Sequence, residues 1–217
     1  YGLDEVAGQN PGFSLATAVH DPRHPQALKQ GFLWHSEAVG LPGARMVAGT
    51  RVHDADCSDA DQLTRAEIEG RRQVLYLVDF MRKRLPGFAD CTLVDTGAQI
   101  GVRETRRIVG EYVLTVEDAR TGAEFEDVVA RKYGAIDANQ LLIGEMHSGF
   151  AYPYRSLLPV RVENLLAAGR CGSATFLGHA AGKSMGNMMA LGQAAGTAAA
   201  LCAQQGVTPR ALDVAQL

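Results

Sequence analysis

The sequence predicts an α/β or α+β fold, and two segments carry this prediction. The first, Leu63 to Leu85, has apolar residues at helical spacing and is flanked by short strand-like stretches. The second, residues 164–205, is a short apolar run that enters Gly169, followed by a glycine-rich stretch and a long Ala-rich and Met-rich helix. An alternation of strands and helices of this kind is typical of folds in which helices pack against a sheet.

The composition is that of an ordinary globular domain, and it excludes some classes of function. The 217 residues are 47% hydrophobic and carry a formal net charge of -3, so nothing predicts binding to nucleic acid. The four cysteines, at 57, 91, 171 and 202, fall singly without the spacing of a zinc site. We therefore expect reduced thiols, no bound metal and a cytoplasmic location.

The early part of the chain predicts two strands and one long helix. Residues 1–43 look irregular apart from a short strand near Phe32 to His35, and Ala44 to Val52 looks like a second strand. Ser58 and Asp61 resemble a capping box, and Pro86-Gly87 ends the helix that follows. The predicted buried stripe of this helix consists of Val74, Leu75, Val78, Met81 and Leu85.

The middle of the chain predicts further strands separated by polar turns, of which Thr121-Gly122 is one. The residues Ile136 to Glu145 are ambiguous between strand and helix. The predicted strands are Cys91 to Asp95, Gln99 to Val102, Ile108 to Thr115 and the buried Asn164 to Ala168.

The last long helix is predicted from Ser184, as its cap, to Gln205, with Gly206 ending it and Thr208-Pro209 opening a final short helix. A face of small residues, including Gly192 and Gly196, would let a flat ligand approach closely. The unpaired amides at the helix start lie at the positive end of the helix dipole, which predicts a site for an anion or an electron-rich carbonyl.

Several separated motifs together resemble one enzyme family. The runs LLAAGRCGSAT (165–175) and MALGQAAGTAAAL (189–201), preceded by YPYRSLLP (152–159), resemble the carboxy-terminal signature of FAD-dependent oxidoreductases. These enzymes are related in fold to the glutathione reductase and fumarate reductase flavoproteins. LTRAEIEGRRQ (63–73) and VDTGAQIGVRETRRIVGEYVLT (94–115) are similar to the middle segment of the family, so the resemblance spans Ala44 to Leu217.

The resemblance implies FAD as cofactor, bound by a partial Rossmann-like domain beside a mixed-sheet substrate domain. The substrate domain would occupy residues 1–148, and residues 149–217 would be the carboxy-terminal part of the FAD-binding domain. Gly169 and Arg170 would lie against the phosphate-ribityl stretch, and Met185 to Met188 would face the isoalloxazine edge. The cofactor-binding residues that the resemblance implies are Gly169, Arg170, Ser184, Met185, Gly186, Asn187 and Met188.

The G-x-G-x-x-G turn that would hold the FAD pyrophosphate is absent from the 217 residues. We therefore expect an amino-terminal FAD-binding half to be missing or to lie on a partner chain. The isolated chain should then bind FAD poorly and be inactive. This absence also favours an alternative function, in which the chain is a non-catalytic fragment or the small subunit of a split enzyme.

The expected reaction is flavin-mediated hydride transfer to or from a small organic substrate, with the protein supplying placement and proton transfer. Arg103, Arg106 and Arg155 could bind an anionic or hydroxylated substrate, and Tyr154 or His179 could serve as the acid or base. Because Glu104 lies within the arginine cluster, an internal ion-pair patch is an equal alternative there. The predicted catalytic residues are Arg103, Tyr154, Arg155 and His179.

Competing interpretations of single motifs are weaker. Gly178 to Ser184 resembles a phosphate loop, but it has three residues between the glycines where four are required. The run 186–203 is long enough for a membrane span, yet its polar residues and its Ala content favour burial within a soluble protein. Prolines between His20 and His24 prevent the helix that would align them on a metal. Cys171, without a second cysteine nearby, reads as structural.

Overall fold

The structure is a computed structural model, and it describes residues 34–85, 87–133 and 149–217. In these residues helices combine with two small antiparallel sheets, which confirms the predicted α/β or α+β class. Contacts divide the chain into two compact units, Tyr1–Val102 and Arg103–Leu217. The proposed domain boundary near residue 148 stays a prediction. Residues 1–33, which were predicted to be mostly irregular and include His20 and His24, lie outside the described residues, as does the ambiguous Ile136 to Glu145.

The first unit contains a hairpin formed by the two predicted strands. Strand β1 (Trp34–Glu37) ends two residues later than predicted, and it pairs antiparallel with β2 (Arg45–Ala48), which is shorter than predicted. Gly40 and Gly43 have φ angles of 80° and 79° in the connection, a conformation that glycine adopts without steric cost.

Helix α1 (Ala60–Arg84) confirms the long predicted helix, but its cap is one residue later than predicted. The Asp59 carboxylate accepts a hydrogen bond from the Gln62 amide at 2.9 Å. The Ser58 amide donates to Asp56 Oδ1, so Ser58 belongs to the preceding turn. Asp59 takes the role because only its side chain reaches an unpaired amide of the first turn.

The predicted buried stripe of α1 is partly wrong. Met81 and Leu85 are buried, but Leu75 is 61% exposed, while Leu77 and Phe80 are buried instead. The buried face is therefore rotated from the predicted one. The apolar residues of this helix occur on more than one side, so periodicity alone did not select the face that packs.

Residues 91–102 are irregular, and the two strands predicted there are wrong. Their backbone groups bind side chains of α1 instead of a neighbouring strand. Arg82 Nε donates to the Cys91 carbonyl oxygen at 2.7 Å, and Glu67 Oε2 accepts from the Ile100 amide at 2.6 Å. Such contacts satisfy the backbone without a ladder, and the sequence gives no local sign of them.

In the second unit, strands β3 (Val128–Tyr133) and β4 (Gly149–Pro153) form an antiparallel pair that the sequence analysis missed. A short helix α2 (Val116–Thr121) precedes them and was also missed, although Thr115 and Asp118 form a complete capping box. Gly122 ends α2 with a φ of 68°, which confirms the predicted turn at this position.

The segment 103–115 was predicted to end in a strand, Ile108 to Thr115, and this prediction is wrong. Its amides bind two different segments in turn: Ile108 N donates to the Cys171 carbonyl at 2.8 Å, and Glu111 N donates to the Leu158 carbonyl at 2.9 Å. Because the hydrogen-bond partners alternate between these two segments, this part of the chain forms only isolated β-bridges and no continuous strand. The predicted strand Asn164 to Ala168 is likewise wrong, since it lies outside every strand of the described residues and Leu165 is 45% exposed.

The carboxy-terminal part is helical. Helix α3 (Phe176–Gly182) leads into α4 (Met185–Gln205), whose predicted limits and terminal Gly206 are confirmed. Ser184 occupies the predicted N-cap position, but its side chain makes no capping hydrogen bond within the described residues. The buried face of α4 consists of Leu191, Ala194, Ala198 and Cys202. Four 3-10 helices complete this unit, at Tyr154–Leu157, Gly169–Cys171, Pro209–Ala211 and Val214–Gln216.

None of the helices in the described part of the chain combines the length and apolar character needed to cross a membrane.

Replacing Gly178 by Ala should destabilise the second unit by about 1–3 kcal/mol, because overpacking against rigid atoms forces the backbone to move. An added Cβ would lie 2.3 Å from the Leu114 carbonyl oxygen, which is a backbone atom. Gly192→Ala on α4 is the matched control, since nothing among the described residues lies within 4 Å of its added Cβ. The control should gain about 0.5–1 kcal/mol from helix propensity. Urea melts of both variants compare the two, and equal stability would contradict the close approach at Gly178.

Candidate functional site

The second unit contains a cluster of charged side chains centred on Glu104. Lys183 Nζ lies 2.7 Å from Glu104 Oε1, and His179 Nδ1 lies 3.1 Å from the same oxygen. Arg107 NH1 donates to the other oxygen, Oε2, at 2.7 Å. The side chains of His179 and Lys183 are only 4% and 9% exposed, so most of this cluster is out of contact with water.

These contacts keep Glu104 ionised. Burial by itself raises the pKa of a carboxyl group, but the hydrogen bonds and charges of His179 and Lys183 outweigh it and lower the pKa of Glu104 to about 2. Two cations facing one carboxylate also leave the cluster with an excess of positive charge. The arginine segment therefore contains the internal ion pair that was considered for it.

His179 lies in helix α3, which the sequence did not predict. The helix begins where Thr175 accepts a hydrogen bond from the Gly178 amide at 3.1 Å. The second ring nitrogen of His179, Nε2, is buried and has no hydrogen-bond partner among the described residues. A buried polar atom without a partner costs free energy, so it needs an explanation.

His179 lines a small cavity of about 20 Å³, which is enough for about one water-sized group. Small residues form much of the wall, and Gly169 and Met188 contribute to it. The hydroxyls of Tyr152 and Ser173 are engaged elsewhere, since they donate to the carbonyls of Gly182 and Tyr112. The other walls are provided by Leu114, Ser156, Leu157, Gly172, Ala174, Gly178, Gly182 and Leu191.

Two close contacts hold α3 in place beside this cavity. Gly178 packs against the Leu114 backbone, and a Cβ on Gly182 would lie 1.7 Å from the Tyr152 hydroxyl oxygen. Only glycine permits these approaches. The glycines of this stretch thus serve the packing of α3, which carries His179 and is followed directly by Lys183.

The start of α4 is open to solvent. Ser184, Met185 and Gly186 are exposed, and no described residue lies within 4 Å of a Cβ added at Gly186. Asn187 Nδ2 donates to the Gly182 carbonyl at 3.1 Å, which ties the end of α3 to the first turn of α4. The first-turn amides and the adjacent Lys183 make this end of the helix electropositive.

Gly169 opens a 3-10 helix with a φ of 87°, a conformation that disfavours any other residue. A Cβ there would meet no described atom within 4 Å. Arg170 and Cys171 follow it on the surface, and Cys171 Sγ lies 3.5 Å from the Ala168 carbonyl oxygen.

Tyr154 and Arg155 line a different, wider cleft of about 550 Å³. The Tyr154 hydroxyl is buried and donates to the Pro209 carbonyl at 3.0 Å, and burial raises the pKa of Tyr154 to about 12. Arg155 donates from Nε to Asp127 Oδ2 at 3.0 Å, and its guanidinium carbon lies 5.4 Å from the centre of the Tyr112 ring. Arg103 is exposed.

The structure thus brings His179, Gly169 and Met188 together around one cavity, while Tyr154 and Arg155 lie at another cleft. Glu104 and Lys183 are the residues whose importance the sequence analysis underrated. Glu104 is 75 positions from His179 in the chain, so no local spacing could reveal their contact. The carboxylate within an arginine-rich segment was the only available signal.

Comparison with known proteins decides the family. The family model described as FAD dependent oxidoreductase matches residues 7–217, which is nearly the whole chain. The chain belongs to the FAD-dependent oxidoreductase family. No curated protein and no solved structure matches it.

The residues of this FAD-dependent oxidoreductase fit part of a flavin cofactor. The open, electropositive start of α4 and the open backbone at Gly169 can accept a flat group that carries polar oxygens. The cavity beside His179 is too small for a ring system, so a flavin ring would have to lie outside it.

The lowered pKa of Glu104 predicts that the protein loses part of its free energy of unfolding as the pH falls. A carboxyl group whose folded-state pKa is depressed stabilises the fold above its unfolded pKa, and this contribution is lost as the pH falls. The contribution is present above pH 4.5 and disappears as the pH falls toward about 2. With allowance for solvent screening, the loss is of the order of 1–2 kcal/mol.

Glu104→Gln should remove this part of the pH dependence, so that the free energies of unfolding of the variant and the wild type converge near the acid end. Denaturant melts across this pH range measure the difference. Glu117→Gln is the control, because the Glu117 side chain is 68% exposed and its ion pair with Arg120 is long, at 3.8 Å. An exposed pair of this kind contributes little to stability. A Glu104→Gln protein that keeps the full acid dependence would show that the cluster does not depress the pKa of Glu104.

Proposed function

We propose that this family member catalyses flavin-mediated hydride transfer to or from a small organic substrate. The observation that carries the proposal is the buried His179. Its Nε2 is unpaired among the described residues, and His179 lines a cavity that Gly169 and Met188 also line. A family that depends on FAD supports the use of a flavin here. A histidine nitrogen available for proton transfer complements the hydride chemistry of that cofactor.

FAD, when bound, accepts or donates the hydride. In the proposed arrangement the first-turn amides and Lys183, at the start of α4, face the electron-rich edge of the ring system, where negative charge develops on reduction. Gly169 and Arg170 border the phosphate-ribityl stretch. The residues proposed to hold the cofactor are Gly169, Arg170, Ser184, Met185, Gly186, Asn187 and Met188.

Among the four proposed catalytic residues, His179 has the strongest support, because its free nitrogen is buried at the cavity. Arg155 remains a candidate for binding an anionic substrate, since its side chain is 48% exposed even while it pairs with Asp127. Arg103 is proposed for the same role. Tyr154 has the weakest support as acid or base, because its hydroxyl is buried and already donates to a carbonyl group.

A second candidate function is that of a subunit that completes a flavin site together with another chain. The 217 residues lack a G-x-G-x-x-G turn, so no segment in them is suited to the FAD pyrophosphate. The small-residue face of α4 is also open: Cβ atoms added at Gly192 and Gly196 meet no described atom within 4 Å. A complementing chain that carries the turn would provide the pyrophosphate site and could also cover the open face of α4.

Gly186→Glu should weaken FAD binding at least tenfold, because a carboxylate at the helix start competes for the same positive field. Titration of FAD fluorescence against the purified chain measures the dissociation constant. Ala203→Glu is the matched control: it places the same charge on an exposed position of α4 near its other end. Equal affinities for the two variants would contradict a flavin at the start of α4.

The same titration separates the two candidates. Weak, rapidly lost FAD is the expected result, and a visible flavin band that survives gel filtration would contradict the need for a complementing chain. Addition of a chain carrying the dinucleotide-binding turn should then restore retained flavin.

A further inference from the structure

The ionised carboxylate of Glu104 determines which ring nitrogen of His179 carries the proton. An ionised carboxylate can only accept hydrogen bonds, so the ring nitrogen that faces it must be protonated. That nitrogen is Nδ1, 3.1 Å from Glu104 Oε1. In the neutral ring, Nε2 is therefore an acceptor with a free lone pair.

Lys183 and Arg107 secure this arrangement. They donate to Oε1 and Oε2 respectively, at 2.7 Å each, and so hold the carboxylate in place and ionised. Glu104 and Arg107 lie in the irregular segment before Ile108, His179 lies in α3, and Lys183 follows α3 directly. The geometry of the imidazole therefore depends on contacts between two segments that are far apart in the sequence.

A purely stabilising ion pair would not require this composition. Buried charged groups stabilise a fold no better than apolar residues of similar size, and the unpartnered Nε2 adds a cost. The cluster thus has a cost in folding free energy that a purely structural role does not explain. An atom that must meet a ligand explains both features.

The size of the cavity limits what can meet Nε2. A space of about 20 Å³ admits one small group, such as a hydroxyl or carbonyl oxygen, and not a ring. The three hydroxyl side chains of this wall, those of Tyr152, Ser156 and Ser173, already donate to carbonyl groups. His179 is then the residue of this wall that can exchange a proton with such an oxygen.

We propose that Glu104 is a positioning residue that holds His179 with Nε2 available to the hydroxyl or carbonyl oxygen of the substrate, so that the substrate is an alcohol or the corresponding carbonyl compound. This inference rests on the proposed hydride-transfer function. In the oxidative direction the C–H bond breaks and its hydride passes to the oxidised flavin. The O–H bond breaks as well, its proton goes to Nε2, and a C=O bond forms. The imidazolium that results is stabilised by the Glu104 carboxylate, and the reverse direction returns the same proton and hydride.

The first test needs neither flavin nor substrate. The chain labelled with 15N-histidine is studied by long-range proton-nitrogen correlation spectra at about pH 8, where an unperturbed imidazole is neutral. The His179 signals, assigned with His179→Gln, should show the tautomer protonated at Nδ1. Glu104→Leu should lose this preference, whereas Glu104→Gln, which keeps a carbonyl acceptor, should retain it. A wild-type His179 protonated at Nε2 would overturn the proposal, and this result does not depend on the folding of any variant.

The second test measures turnover of the flavin-loaded enzyme with alcohol substrates. His179→Gln should lower kcat about 100-fold or more, which is the usual contribution of a general acid or base. Glu104→Leu should lower kcat at least tenfold with little change in KM, and Glu104→Gln should recover part of the loss. Glu117→Leu, on exposed α2, is the control and should match wild type. Normal kcat in folded Glu104→Leu would overturn the positioning role.

If Glu104→Leu does not fold, the double variant Glu104→Leu/Lys183→Met removes one of the two stranded cations and takes its place in the tautomer test, which keeps the proposal falsifiable. The outcomes remain distinguishable. An enzyme that reduces its flavin only with amines or thiols keeps the proposed function and overturns the alcohol assignment. A wild-type protein with the expected tautomer that neither binds nor reduces FAD, even together with a chain carrying the dinucleotide-binding turn, would contradict the proposed function alone.

Discussion

The partly buried carboxylate of Glu104 is the constraint on which the arrangement of the site depends, because a charge shielded from much of the solvent needs hydrogen-bond partners. It accepts from Lys183, His179 and Arg107, and these donors outweigh the cost of burial. The contacts join the segment before Ile108 to the region around α3 and α4. Loss of the carboxylate would leave Lys183 buried without its partner and would release the ring of His179.

Close packing of glycines provides the second constraint. Gly178 and Gly182 bring α3 against the backbone of Leu114 and the hydroxyl of Tyr152, nearer than any other residue would allow. In contrast, Gly169, Gly186, Gly192 and Gly196 meet no described atom at the position of a Cβ. Glycines of similar appearance in the sequence therefore fall into two classes. The first class serves internal packing, and the second leaves backbone open to a ligand or to another chain.

The open helix start and the buried cluster have complementary properties in a flavoprotein. The start of α4 presents unpaired amides, whose partial charges suit an electron-rich ring edge. The cluster beside it retains excess positive charge and one available ring nitrogen. In the proposed hydride transfer, negative charge would develop on the cofactor and a proton would pass to the protein, so both features would act in the same direction.

The sequence by itself determined the family, the fold class and the two long helices, because these depend on motifs and on periodicity within short windows. The limits of α4, from the Ser184 cap to Gly206, followed from local capping rules. The tertiary structure decided the rest. The predicted strands at 91–115 are irregular because distant side chains and two alternating segments satisfy their backbone groups. The pairing of Glu104 with His179, 75 positions apart, arises only when α3 folds against the Leu114 backbone, and no spacing in the sequence encodes a contact over that separation.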